Sequence, residues 1–136
     1  MAVVALVTWL VTAVLGFTML YLWISKGGLQ AARGGTERSS RFAPGLVFGH
    51  FLLAATGLIV WIVYVAADTE ALTWIAFVLL IAVAVLGDLL FLRWWRGRGS
   101  EAVESALPKP IVYTHGVFAV TTIVLVLLTA LGVGES

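Results

Sequence analysis

Cysteine is absent from this chain. That excludes structural disulfides, thiolate-bound iron–sulfur clusters, thioether-linked haem and a cysteine nucleophile. Charge is scarce as well. Asp, Glu, Lys and Arg make up 11% of 136 residues, against roughly 25% in a soluble domain. With 62% hydrophobic residues, too little polar surface remains to coat a water-soluble globule. The length suits one compact domain, with no separate soluble part. No glycine-rich phosphate loop joins a strand to a helix, and no nucleophile–base–acid set stands out. A net charge of +1 says little by itself; the placement of the charges carries the information.

What is present is apolar sequence in four long runs, at about residues 3–24, 44–67, 71–92 and 111–132. As helices they measure about 32–36 Å, enough to cross a hydrocarbon core of about 30 Å. A bilayer offers no water to backbone groups, so each run should be helical. The alternation of a membrane β-barrel is missing. The first run carries no preceding Lys or Arg, exceeds a signal core in length and lacks a small-x-small cleavage site, so it reads as a retained span. The expected fold is an all-α integral membrane protein, four transmembrane helices in an up-down-up-down bundle.

Lys26, Arg33, Arg38 and Arg41 lie between runs one and two, and Arg93, Arg96, Arg98 and Lys109 between runs three and four. Those are all the Lys and Arg in the chain. The short loop with Asp68 and Glu70 has none. The positive-inside rule puts both basic loops in the cytoplasm and both termini outside. With the basic residues committed to topology and to anionic headgroups, nucleic-acid binding is not expected. Tyr21, Trp23, Trp94 and Trp95 at one interface, and Trp61, Tyr64 and Trp74 at the other, fit interfacial anchoring. Gly27-Gly28 and Gly34-Gly35 predict a flexible first basic loop. Pro108 and Pro110 suit the entry of the fourth helix. Richness in Ala, Val, Gly and Arg fits a GC-rich bacterial source, hence a bacterial inner membrane.

Each half of the chain is a hairpin, and the second helices share a pattern. His50, Ala54 and Thr56 recur at the same offsets as His115, Ala119 and Thr121. The two histidines thus occupy similar places in parallel helices.

Three ionisable side chains lie well inside the runs: His50, Asp88 and His115. Such residues are costly in lipid and usually face a bundle interior. Counted from the nearest basic flank they lie about 13, 7.5 and 9 Å deep, within about one turn of each other. His50 shares its helix face with Ala54, Gly57, Trp61 and Tyr64, and His115 shares its face with Ala119, Thr122 and Thr129. The first helix has a matching stripe of Ala5, Thr8, Thr12 and Gly16. Small and hydroxyl residues mark contact faces in membrane bundles, or faces against a flat ligand. Helices two and four lie on a diagonal of such a bundle, so their histidines point at each other.

Three chemistries follow. Haem b would take His50 and His115 as axial ligands. It would rest on small residues such as Gly49, Ala54, Gly57, Gly116 and Ala119, and pair its propionates with Arg41, Arg93, Arg96 and Lys109. Alternatively His50, His115 and Asp88 would hold a divalent metal ion, or Asp88 would orient a ligand histidine or relay protons. Or the histidines would bond threonines and carbonyls, in a structural or accessory subunit of a larger membrane complex or homo-oligomer without cofactor.

With histidines on the facing sides of two of four helices, the chain resembles small b-type membrane cytochromes. It is similar in plan to the cytochrome b561 family and to haem-bearing anchor subunits of quinone-linked dehydrogenases. The resemblance rests on His50, His115 and the four-helix plan. It implies electron transfer, quinone or another redox partner, or haem handling, in an electron-transfer or accessory protein more than a stand-alone enzyme. Cytochrome b561 proteins carry four histidines and two haems, whereas two histidines hold at most one bis-histidine haem. A single site near one face does not by itself carry electrons across the bilayer.

Overall fold

The computed structural model describes residues 1–35 and 38–134. Its described residues form α1 (Ala2–Ser25), α2 (Gly28–Ala32), α3 (Pro44–Ala67), α4 (Ala71–Arg96), a 3-10 turn (Val103–Ala106) and α5 (Lys109–Ala130). The four long helices are each long and apolar enough to cross a membrane. Pro44 and Pro110 stand in the first turns of α3 and α5, where a missing N–H costs nothing. Asp68, in the left-handed conformation, ends α3 and starts the tight turn to α4.

Two boundaries differ from the sequence expectation. α4 continues a turn beyond residue 92 to Arg96, because Trp94 is buried within the protein and arginines in a last turn suit the negative end of a helix. α5 starts two residues early, set by Pro108 as its N-cap, and ends two residues early, with Leu131 as its C-cap. The start of the first basic loop carries a short helix that its glycines did not suggest: Gly27, at φ 85°, turns the chain into α2.

α3 packs chiefly on α4 and α1 chiefly on α5; α4 with α5, and α1 with α3, complete the ring at lesser contact. The bundle is thus two tight helix pairs facing each other across a seam, with α3 and α5 on a diagonal. Large apolar side chains such as Val7, Leu10, Val14, Ile59, Val78 and Val117 face outward, while Thr8, Thr73, Thr122 and Thr129 are buried. A water-soluble protein has the opposite arrangement, and a lipid surround accounts for this one.

Two apolar clusters close the ends of the interior. Trp23, Phe42, Val47, Trp94, Leu107 and Val112 fill the basic-loop end. Ala5, Trp9, Trp61, Tyr64, Ala76 and Val126 fill the other. Trp23, Trp94, Trp61 and Tyr64 are therefore core residues, not interfacial anchors; Tyr21, Trp74 and Trp95 remain exposed. At the basic-loop end the two loops are stitched together. Glu104, fully buried, accepts hydrogen bonds from the Ser40 hydroxyl at 2.9 Å and from the Arg41 backbone N–H. The Trp23 indole N–H donates to the Ser40 hydroxyl at 3.2 Å, and the Val103 N–H to the Ser39 carbonyl at 3.0 Å.

Candidate functional site: a histidine pair across the seam

His50 and His115 lie along their helices between the two apolar clusters, after Val47 and Val112 and before Trp61 and Val126. Their ring centres are 6.4 Å apart, with planes inclined at 65°. Each ring also reaches a neighbouring helix. The His50 Nδ1 lies 2.9 Å from the Val83 carbonyl oxygen of α4, and the His115 Nδ1 lies 2.9 Å from the Thr12 carbonyl oxygen of α1. A carbonyl oxygen only accepts, so each Nδ1 carries the proton and donates it. In neutral imidazole that leaves the lone pair on Nε2. No hydrogen bond reaches either Nε2 from the described residues.

The two halves build the same contact. Gly87 lies one turn after Val83, and a β-carbon there would meet His50 Cε1 at 3.0 Å. Gly16 lies one turn after Thr12, and a β-carbon there would meet His115 Cε1 at 3.1 Å. Both glycines end the tetrapeptide Ala-Val-Leu-Gly, at 13–16 and 84–87, and both are followed seven residues later by a buried tryptophan, Trp23 or Trp94. Ala5 and Ala76, eleven residues before them, are fully buried. Sequence reasoning found both histidines and the Thr12–Gly16 stripe but missed Gly87. The repeated tetrapeptide was the available signal.

The other expected site residues divide. The inward faces of α3 and α5 hold: Gly57, Trp61, Tyr64, Thr122 and Thr129 are buried, and Ala54 and Ala119 half-buried. Gly57, however, is already occupied, since a β-carbon there would meet the Trp9 ring at 3.0 Å. Its small size makes room for an indole. Gly116 has open space over it, and Gly49 has only Leu86 at 3.9 Å. Arg93 donates from Nη1 to the Arg41 carbonyl at 3.0 Å, and the Arg41 side chain lies over Gly97. Arg96 and Lys109 are exposed beyond them. Asp88 is exposed on the outer side of α4. Among the described residues no group of three or more His, Cys, Asp and Glu comes together that could hold a metal ion.

The fold and this site define a four-helix membrane-spanning bundle with one inward-facing, half-buried histidine pair. Comparison with protein-family profiles, curated proteins and solved structures gave no match.

Proposed function

We propose that this chain is a b-type haem protein of a cell membrane, with His50 and His115 as axial ligands, serving electron transfer, quinone-linked redox or haem handling. The observation that carries the reading is the pair itself. Two imidazoles bound end-on to one metal at about 2 Å each have ring centres roughly 6 Å apart, and the observed separation is 6.4 Å. End-on ligation leaves the angle between the ring planes free. Both Nδ1 protons are donated to backbone carbonyls, the usual way a protein fixes a ligand tautomer. The ligands also come from opposite walls, His50 from the α3–α4 pair and His115 from the α1–α5 pair, so a flat group held by both would lie along the seam between them.

Bound there, haem would supply one-electron exchange between ferric and ferrous iron. The chain's own residues do the rest. The Val83 and Thr12 carbonyls hold the imidazoles in place. Trp9 and Trp61, whose ring centres lie 6.5 Å apart, close the seam away from the basic loops. Arg41, Arg93, Arg96 and Lys109 offer positive charge to propionates at the other end, with Ala54 and Ala119 against the macrocycle. Under the positive-inside rule that end is cytoplasmic and both termini are outside. Quinone, a soluble redox protein, a second copy or a larger complex would then meet the site from the cytoplasmic half. The ion-only alternative, with Asp88 as third ligand, draws less support because Asp88 faces outward.

The test is an absorption spectrum of the protein purified in mild detergent from haem-supplied cells. A low-spin Soret band, with α and β bands that sharpen on reduction, is the expected result. A folded protein that purifies colourless and takes up no haem overturns the proposal. Metal analysis of the same sample tests the ion-only alternative.

A further inference from the structure

Trp94 is 2% exposed, and its indole Nε1 is the one buried side-chain nitrogen or oxygen among the described residues without a hydrogen-bond partner. A buried indole N–H normally finds a partner, and leaving it unpaired costs about 1–3 kcal/mol. Its counterpart in the other half makes the contrast plain. Trp23 stands seven residues after Gly16, as Trp94 stands seven after Gly87, yet the Trp23 N–H donates to the Ser40 hydroxyl. One half satisfies its tryptophan from within the protein, and the other does not.

The surroundings say what kind of acceptor is missing. Seven residues put Trp94 on the same face of α4 as Gly87, roughly 10 Å nearer the basic loops, and Gly87 is the residue against which His50 lies. Trp94 is walled by Phe91 and Tyr113, each ring centre 5.7 Å away. Next to it in sequence Arg93 is tied to the Arg41 carbonyl, and neither guanidinium group meets a carboxylate among the described residues. An unsatisfied donor on the same turn as an arginine whose guanidinium meets a carbonyl but no carboxylate suits an anionic oxygen.

We propose that Trp94 Nε1 donates a hydrogen bond to an anionic oxygen at the basic-loop edge of the seam, a haem propionate, making Trp94 a cofactor-binding residue. This rests on the haem reading. A lipid headgroup phosphate offers the same chemistry, and the experiment separates the two.

Wild type, W94F and W23F are each loaded with haem and with haem dimethyl ester, which keeps the iron and both axial positions but has no carboxylates. Retention is measured by competition in phospholipid-free detergent and again in phosphatidylglycerol vesicles. W94F keeps an aromatic side chain but removes the N–H along with the five-membered ring of the indole. It is expected to weaken haem retention about five- to tenfold, to weaken ester retention less than about twofold, and to leave the low-spin spectrum intact. W23F, whose N–H is spent on Ser40, is expected to treat haem and ester alike. Equal loss of haem and ester in W94F, or no loss of either, overturns the Trp94 assignment and leaves the haem reading standing. An effect that appears only in phosphatidylglycerol vesicles identifies a lipid phosphate and overturns the propionate. A wild-type protein that binds neither compound overturns both.

Discussion

The imidazole edge of His50 lies where a side chain on Gly87 would begin: a β-carbon there would stand 3.0 Å from Cε1. Gly16 and His115 repeat the relationship at 3.1 Å. In both cases the ring can approach its helix closely enough to reach the carbonyl one turn earlier. Glycine in a helix interior costs about 1 kcal/mol relative to alanine, so the close approach is what these positions gain.

Gly87→Ala and Gly16→Ala are therefore expected to displace the adjacent imidazole by a few tenths of an ångström and weaken its Nδ1 hydrogen bond. The better helix propensity offsets the packing strain, so stability in detergent should change by no more than about 1 kcal/mol. The spectrum or redox potential of the bound group should shift. Thermal melts beside absorption spectra check both, and an unchanged spectrum and potential in both variants would detach the glycines from the site.

Gly57→Ala should behave the other way. Its β-carbon would meet the Trp9 ring at 3.0 Å, well inside the cluster away from the basic loops. A loss of about 1–3 kcal/mol is expected from overpacking, with the low-spin spectrum of the remaining folded protein unaltered. A stable variant with an altered spectrum would return Gly57 to the cofactor pocket.

The four-helix plan was legible because nothing but a membrane span suits such long, nearly uncharged runs, and the eight Lys and Arg mark where the runs end at the two basic loops. The histidine pair was legible because ionisable residues are rare there. The direction of Asp88 was not: where every face of a helix is apolar, periodicity barely distinguishes inside from outside. Gly57 was misleading because a small residue looks the same whether a ligand or an indole fills the space. The four buried aromatics were misread for a related reason, since a Trp near a span end serves equally as anchor or core. Glu104 was hidden by its place in a charged loop, which reads as solvated until Ser40 and Arg41 are seen to donate to it.

Glu104→Ala would leave the Ser40 hydroxyl and the Arg41 N–H without their acceptor and open a gap under both loops. A destabilisation of about 3 kcal/mol is expected from two hydrogen bonds to a charged group. Denaturant or SDS titration followed by circular dichroism measures it. Glu104→Gln, which keeps one acceptor oxygen, should lose less. Equal stability of all three proteins would contradict the stitched-loop account.

Asp88→Leu should leave spectrum, metal content and redox behaviour unchanged, because the side chain is exposed and makes no contact with either histidine among the described residues. Altered metal content or ligand field would bring Asp88 back as a ligand or as a partner to one.

The central claim, that His50 and His115 bind one haem between them, is tested most directly by the spin state of the iron in the single variants. His50→Ala and His115→Ala each leave one imidazole in place, so each should convert a low-spin absorption and electron paramagnetic resonance spectrum to a high-spin one. The double variant should retain no haem, with circular dichroism on the same samples reporting that the helices persist. Single variants that keep the low-spin spectrum of the wild type would contradict the account.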